Sequence, residues 1–178
     1  MKVATHIILI IFCLIYNLSF SQTTGSKTIA VTLPIVILLD IEPTGTIAMN
    51  FTAPTEAGQP LTVPAQNTTK WINYTSAIAP AGLTRRVTAS VNQTIPGVDI
   101  RLQAAAAAGS GGGTLGTPTA QVTLSTTAVN IITGIGGAFT GNGANNGHRL
   151  TISLVVNNYA NLNTRTSTPV IITYTITE

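Results

Sequence analysis

The chain has 178 residues and a formal net charge of +3, and only 7% of it is charged, against about 25% in an average globular protein. That length suits one domain, and its hydrophobic fraction of 44% is ordinary, so uncharged polar residues (31 of them Thr) stand where charges would be. Thr favours strands, whereas Gly and Asn mark turns, which excludes a helical bundle, a coiled coil and a charged disordered tail. The eight cations are scattered, with no cluster beyond Arg85-Arg86, which excludes a nucleic-acid binder.

Residues 1–21 read as a signal peptide. Met1-Lys2 opens on a cation, Ile8 to Tyr16 is an apolar core too short to span a bilayer, and Ser19 and Ser21 supply small residues before a cut at Gln22. The single Cys13 lies within it, so the mature chain, 22–178, is expected to form one domain without disulfides or a stable membrane span. Stability then has to come from burial alone.

Along the mature chain, apolar residues alternate with period two. Ile29, Val31 and Leu33 alternate first, then Ile35 to Leu39 is apolar on both parities, as in a strand covered on both faces. Further runs are Ile47-Met49-Phe51, Val87-Ala89-Val91, Val98-Ile100-Leu102, Val122-Leu124, Val129-Ile131, Leu150 to Val156 and Ile172-Tyr174-Ile176. Pro- and Gly-containing segments separate them, and nothing longer than a turn or two has helical periodicity. The pattern predicts an all-β, Ig-like antiparallel β-sandwich of about eight or nine strands. Ala104 to Gly116 reads as a long surface loop and Gly134 to Gly147 as an extended hairpin loop.

Groups for chemistry are few. His148 stands in a Gly/Asn turn beside Arg149, with no nucleophile-elbow spacing nearby, and reads as a solvated hairpin residue. Asp40 and Glu42 share one strand face at a surface strand end, the plain alternative to a glycosidase pair. Gly134 to Gly137 lacks the Lys-Ser/Thr of a phosphate loop, and the loop 141–145 lacks the acidic residues of a calcium site. No enzyme, cofactor or metal is expected. Trp71-Ile72-Asn73-Tyr74 is the best recognition candidate: an exposed Trp71 beside Asn73 would stack on and hydrogen-bond a sugar ring. An inward Trp71 filling the core is the preferred reading. An outer-membrane barrel is disfavoured by the six aromatics of the mature chain.

Ser26 to Glu42 (SKTIAVTLPIVILLDIE), with Val31-Thr32-Leu33-Pro34 and Leu38-Leu39-Asp40, resembles the amino-terminal region of chaperone–usher fimbrial (pilin) subunits. Ser167 to Glu178 (STPVIITYTITE) is similar to the closing strand of a fimbrial or bacterial Ig-like surface domain. Leu18 to Gln22 also resembles signal-peptide ends of Bacteroidota. The resemblance implies a bacterial cell-surface or extracellular subunit whose sandwich lacks one strand. The amino-terminal extension of the next copy, or of a related pilin-like subunit, would fill the groove, and a periplasmic chaperone would hold the subunit beforehand. By that implication residues 22–34 form a donor strand in which Ile29, Val31 and Leu33 insert into the neighbour, and Pro34 marks the start of the body. The same residues could instead pair within their own sandwich. The alternative function is a self-contained secreted lectin-like domain that binds glycans through Trp71 and Asn73.

Overall fold

Period-two burial takes shape in nine strands: β1 (Val36–Glu42), β2 (Asn67–Ala77), β3 (Arg85–Val91), β4 (Val98–Ala108), β5 (Gly112–Pro118), β6 (Val122–Thr123), β7 (Val129–Phe139), β8 (Gly147–Val156) and β9 (Ile172–Thr177). The structure, a computed structural model, describes residues 24–178; the expected leader over 1–21 and its Cys13 lie outside the described residues. The chain divides into two units, 1–33 and 34–178, the boundary falling at Pro34.

The second unit is all-β and antiparallel throughout, as the sequence leads one to expect. Its strands run β6-β4-β8-β2-β7-β3-β9, with β1 added to β2 and β5 to β7. β2 makes the corner. Its first half pairs with β8, from Asn67↔Ile152 to Ile72↔His148, and its second half pairs with β7 through Thr75↔Phe139 and Ser76↔Ala138. The open sheet therefore folds into two layers: β6-β4-β8-β2-β1 and β5-β7-β3-β9. Ile100, Leu102, Leu150 and Ile152 of the first join Val87, Ala89, Ile131, Ile132 and Ile135 of the second in one buried cluster. Burying each large aliphatic side chain contributes about 1.5–3 kcal/mol, the main stabilising term in a domain without disulfides.

Four expectations are corrected. Ala104 to Gly116 is not a surface loop: β4 continues to Ala108, and β5 starts at Gly112 after a three-residue turn. Ala104 pairs with Leu150 and Ala107 with His148, so small side chains stand where larger neighbours fill the layer. Gly134 to Gly147 is not one loop, since β7 runs to Phe139 and β8 begins at Gly147. Gly136 inside β7 lets β5 approach closely: a Cβ there would meet the Thr114 Cβ at 3.0 Å, and Thr114 would have to give way by a few tenths of an ångström. β1 is not covered on both faces. Leu39 and Ile41 pack against the core, but Ile37 and Leu38 are exposed, because β1 is an edge strand. Finally, Ile47, Met49 and Phe51 belong to no strand, although Ile47 and Met49 do pack on the core.

The core assignment predicts a contrast. Leu102→Ala, at a fully buried position, should cost about 2–5 kcal/mol, whereas Leu83→Ala, at an exposed position, should stay within about 0.5 kcal/mol. Urea denaturation of both variants measures the difference, and equal effects would contradict this core.

Candidate functional site

Residues 24–33 form neither helix nor strand. Ile29, Val31 and Leu33 are 81%, 75% and 85% exposed, so three apolar side chains at alternating positions stand in solvent. Single exposed aliphatics are commonplace, but a strict alternation of three with no covering partner is not.

In the body, a second feature answers to this one. Segment 46–51 has the burial alternation of a strand, with Ile47, Met49 and Phe51 half-buried and Ala48 and Asn50 exposed. Yet, among the described residues, its backbone groups make no hydrogen bond to any other backbone group. Its entry is held instead by Lys70, itself 7% exposed, whose Nζ donates to Pro43 O at 2.5 Å and Gly45 O at 2.8 Å. β9 is likewise half-satisfied. It pairs with β3 in unbroken register from Arg86↔Thr177 to Val91↔Ile172, and its other edge carries no ladder. Its inward residues Ile172, Tyr174 and Ile176 are only partly buried. β1 and β9 come within 8 Å between Cα atoms, but no bridge forms between them, so the two layers stay unjoined there.

Arg85 fastens one end of this opening. It is 3% exposed, and its Nη1 donates to Val36 O at 2.7 Å, Ser76 Oγ at 2.9 Å and Ala77 O at 3.3 Å. Nη2 lies 3.6 Å from Glu178 Oε1. One guanidinium therefore ties the start of β1, the end of β2 and the residue after β9, with its Nε left unpartnered.

His148 is fully buried, not solvated as its Gly/Asn surroundings imply. Nδ1 lies 2.8 Å from Ala105 O, and Nε2 lies 2.9 Å from Tyr74 Oη and 3.2 Å from Leu115 O. Tyr74 Oη also donates to Leu115 O. The two rings stack at 5.7 Å with an interplanar angle of 21°. Because Leu115 is on β5 and His148 on β8, this cluster is a polar bolt between the layers. Its partners lie 33 to 74 residues away in sequence, which is why the local Gly/Asn context gave no sign of it. Among the described residues, its hydrogen-bond partners are one phenol and two backbone carbonyls.

Trp71 does not fill the core. Ile72 and Tyr74 take the inward parity, leaving Trp71 half-buried on the opposite face, in register between Glu42 and Arg149. Asn73 is 5% exposed, and its Nδ2 donates to Asn146 O at 2.6 Å, under the β7–β8 loop. A shallow depression of about 550 Å³ beside it is lined by Leu38, Asp40, Thr75, Phe139 and Asn142, and leaves Trp71 out. Asp40 is exposed, and its Oδ1 accepts from Ile41 N–H at 2.7 Å. Among the described residues there is no group of His, Cys, Asp or Glu able to hold a metal, and no helix long and apolar enough to cross a membrane.

No family model, no curated protein and no solved structure matches this chain.

Two outcomes follow from the buried polar groups. Arg85→Met removes three hydrogen bonds of a buried cation and should cost about 3 kcal/mol in urea denaturation. A loss within the spread of ordinary surface changes, about 0.5 kcal/mol, would contradict the fastening role. Burial also pushes the Tyr74 and Tyr174 phenols up from their usual 10.0. The unfolded chain therefore releases protons that the folded chain keeps, so stability should fall as pH rises above about 10. Tyrosinate absorbance should develop fully only with unfolding; complete ionisation of a still-folded chain would contradict this.

Proposed function

We propose that the chain is a non-enzymatic, exported structural subunit of a surface fibre, joined to the next copy, or to a related pilin-like subunit, by β-strand addition. The observation that carries this reading is the exposed alternation of Ile29, Val31 and Leu33 in a segment that forms no strand pairing. The same chain keeps ladder-free backbone at 46–51 and along β9. An extended segment with one apolar face and a sandwich with an unpaired edge are the two halves of a strand-addition joint. Burying an Ile, a Val and a Leu contributes about 1.5–3 kcal/mol each, and the backbone ladder adds directional bonds that hold the segment in one register.

The composition agrees with this use. A chain in which 7% of residues are charged carries little like-charge repulsion between packed copies, and Thr-rich faces suit a strand-built polymer exposed to water. Before assembly the exposed apolar residues need cover, which makes a periplasmic chaperone the expected transient partner.

The test exploits the two faces of residues 28–33. Val31→Asp should abolish assembly in the native host while leaving the thermal stability of the isolated chain unchanged, because Val31 is exposed. Thr32→Lys, on the opposite parity, should assemble as the parent does. Sedimentation of the released protein reads both. Normal assembly of Val31→Asp would overturn the reading.

A further inference from the structure

The loop between β7 and β8 leads into both of the chain's Asn-Gly pairs, Asn142-Gly143 and Asn146-Gly147. An Asn followed by Gly is open to attack on itself, because no Cβ shields the peptide nitrogen that follows the amide. That nitrogen, on losing its proton, bonds to the Asn Cγ, and the Cγ–Nδ2 bond breaks to release ammonia. Water then opens the five-membered imide at one carbonyl or the other, leaving aspartate or its β-linked isomer. Only solvent is consumed, so a pair reacts as readily as its amide can turn onto the next nitrogen.

The two pairs differ in that freedom. Asn142 is exposed, and among the described residues its side-chain amide has no hydrogen-bond partner. Gly143 holds a φ of 84°, and a Cβ there would meet nothing within 4 Å, so nothing crowds the attacking residue. Asn146 is gripped at both ends of its amide. Its Oδ1 accepts from the Ser110 N–H at 3.0 Å and the Ser110 hydroxyl at 3.2 Å, and its Nδ2 donates to Asn142 O at 2.8 Å. Gly147 is buried and paired with Ala108 in the β4–β8 ladder. The grip depends on Asn142 itself. In a β-linked product at 142 the backbone gains a carbon and the old carbonyl leaves the main chain, so Asn146 Nδ2 loses its acceptor from its present place. We infer that Asn142 is a site of self-modification by deamidation, and that its conversion comes first and releases Asn146 for the second. Each conversion adds one negative charge, the first of them in the depression that Asn142 shares with Asp40. The chemistry needs neither a partner nor a fibre.

Timed peptide mapping decides it. The folded full chain is incubated at mildly alkaline pH beside a sample unfolded in guanidinium chloride, and trypsin then releases Leu102 to Arg149, which holds both pairs. Electron-transfer fragmentation separates 142 from 146 and aspartate from its β-linked isomer. In the folded chain, conversion at Asn142 should lead that at Asn146 by roughly tenfold, since Asn146 forfeits the hydrogen bonds of its amide to reach the attack geometry. In the unfolded chain the two should convert at similar rates. Asn142→Gln, whose longer side chain closes the imide far more slowly, should hold Asn146 of the folded chain below its rate in the parent. An Asn142 that stays intact in the folded chain, or an Asn146 that converts as early, would overturn the site. An Asn146 that converts as fast in Asn142→Gln as in the parent would overturn the order.

Discussion

A strand has two hydrogen-bonding edges, and burying its apolar side chains does not by itself satisfy its backbone. In this chain the constraint bears hardest on β9 and on segment 46–51. Both send alternating apolar residues toward the core, yet β9 has a ladder on one side only and 46–51 has no backbone ladder at all. The layers are well closed around β2 and β7, where one strand pairs with members of both layers, and poorly closed at β1 and β9, where the strands approach without bridging. The domain is thus asymmetric in how completely its backbone is paired, and the exposed Ile29-Val31-Leu33 alternation is the element of the same chain whose chemistry suits the deficit.

Buried polar groups hold the layers in the absence of disulfides. His148 and Tyr74 converge with Leu115 O near the β5 side, Lys70 grips the chain as it leaves β1, and Arg85 ties three strand ends where the body begins. Each is a hydrogen-bonded group in a low-dielectric setting, where removing a partner costs more than the net worth of the bond. They fix geometry as well as energy. Arg85 holds Val36, two residues from Pro34, so the first strand of the body is fixed at its start by a buried cation.

Much of the architecture was legible in the sequence, because alternation of Val, Ile, Leu and Thr reports directly which side chains share a face. It located most of the strands, including Val98-Ile100-Leu102, Leu150 to Val156 and Ile172-Tyr174-Ile176. Alternation does not report whether a partner exists, so Ile47-Met49-Phe51 looked like any other strand while lacking a ladder. Composition misled at Ala104 to Gly116 and Gly134 to Gly147, where Ala and Gly suggested loops. Those small residues instead make room for His148, for Leu150 and for the approach of Thr114. The parity of Trp71 was misread as inward, since Ile72 and Tyr74 could claim the inward face as well as Trp71 and Asn73 could. Tyr74 settles it, because its hydroxyl finds buried partners only on the inner side. His148 was misread because every group that satisfies it comes from distant strands.

The central claim is that copies are joined by a strand rather than by a surface patch, and the two differ in how they come apart. A joint held by a full ladder and three inserted apolar side chains resists detergent at room temperature and yields only when the domain unfolds. The direct measurement is to shear the surface of native cells and run the released protein, unheated and boiled, on a denaturing gel. The account predicts a ladder at multiples of the mature mass in the unheated lane that collapses to one band on boiling. A single mature-size band in both lanes would contradict it.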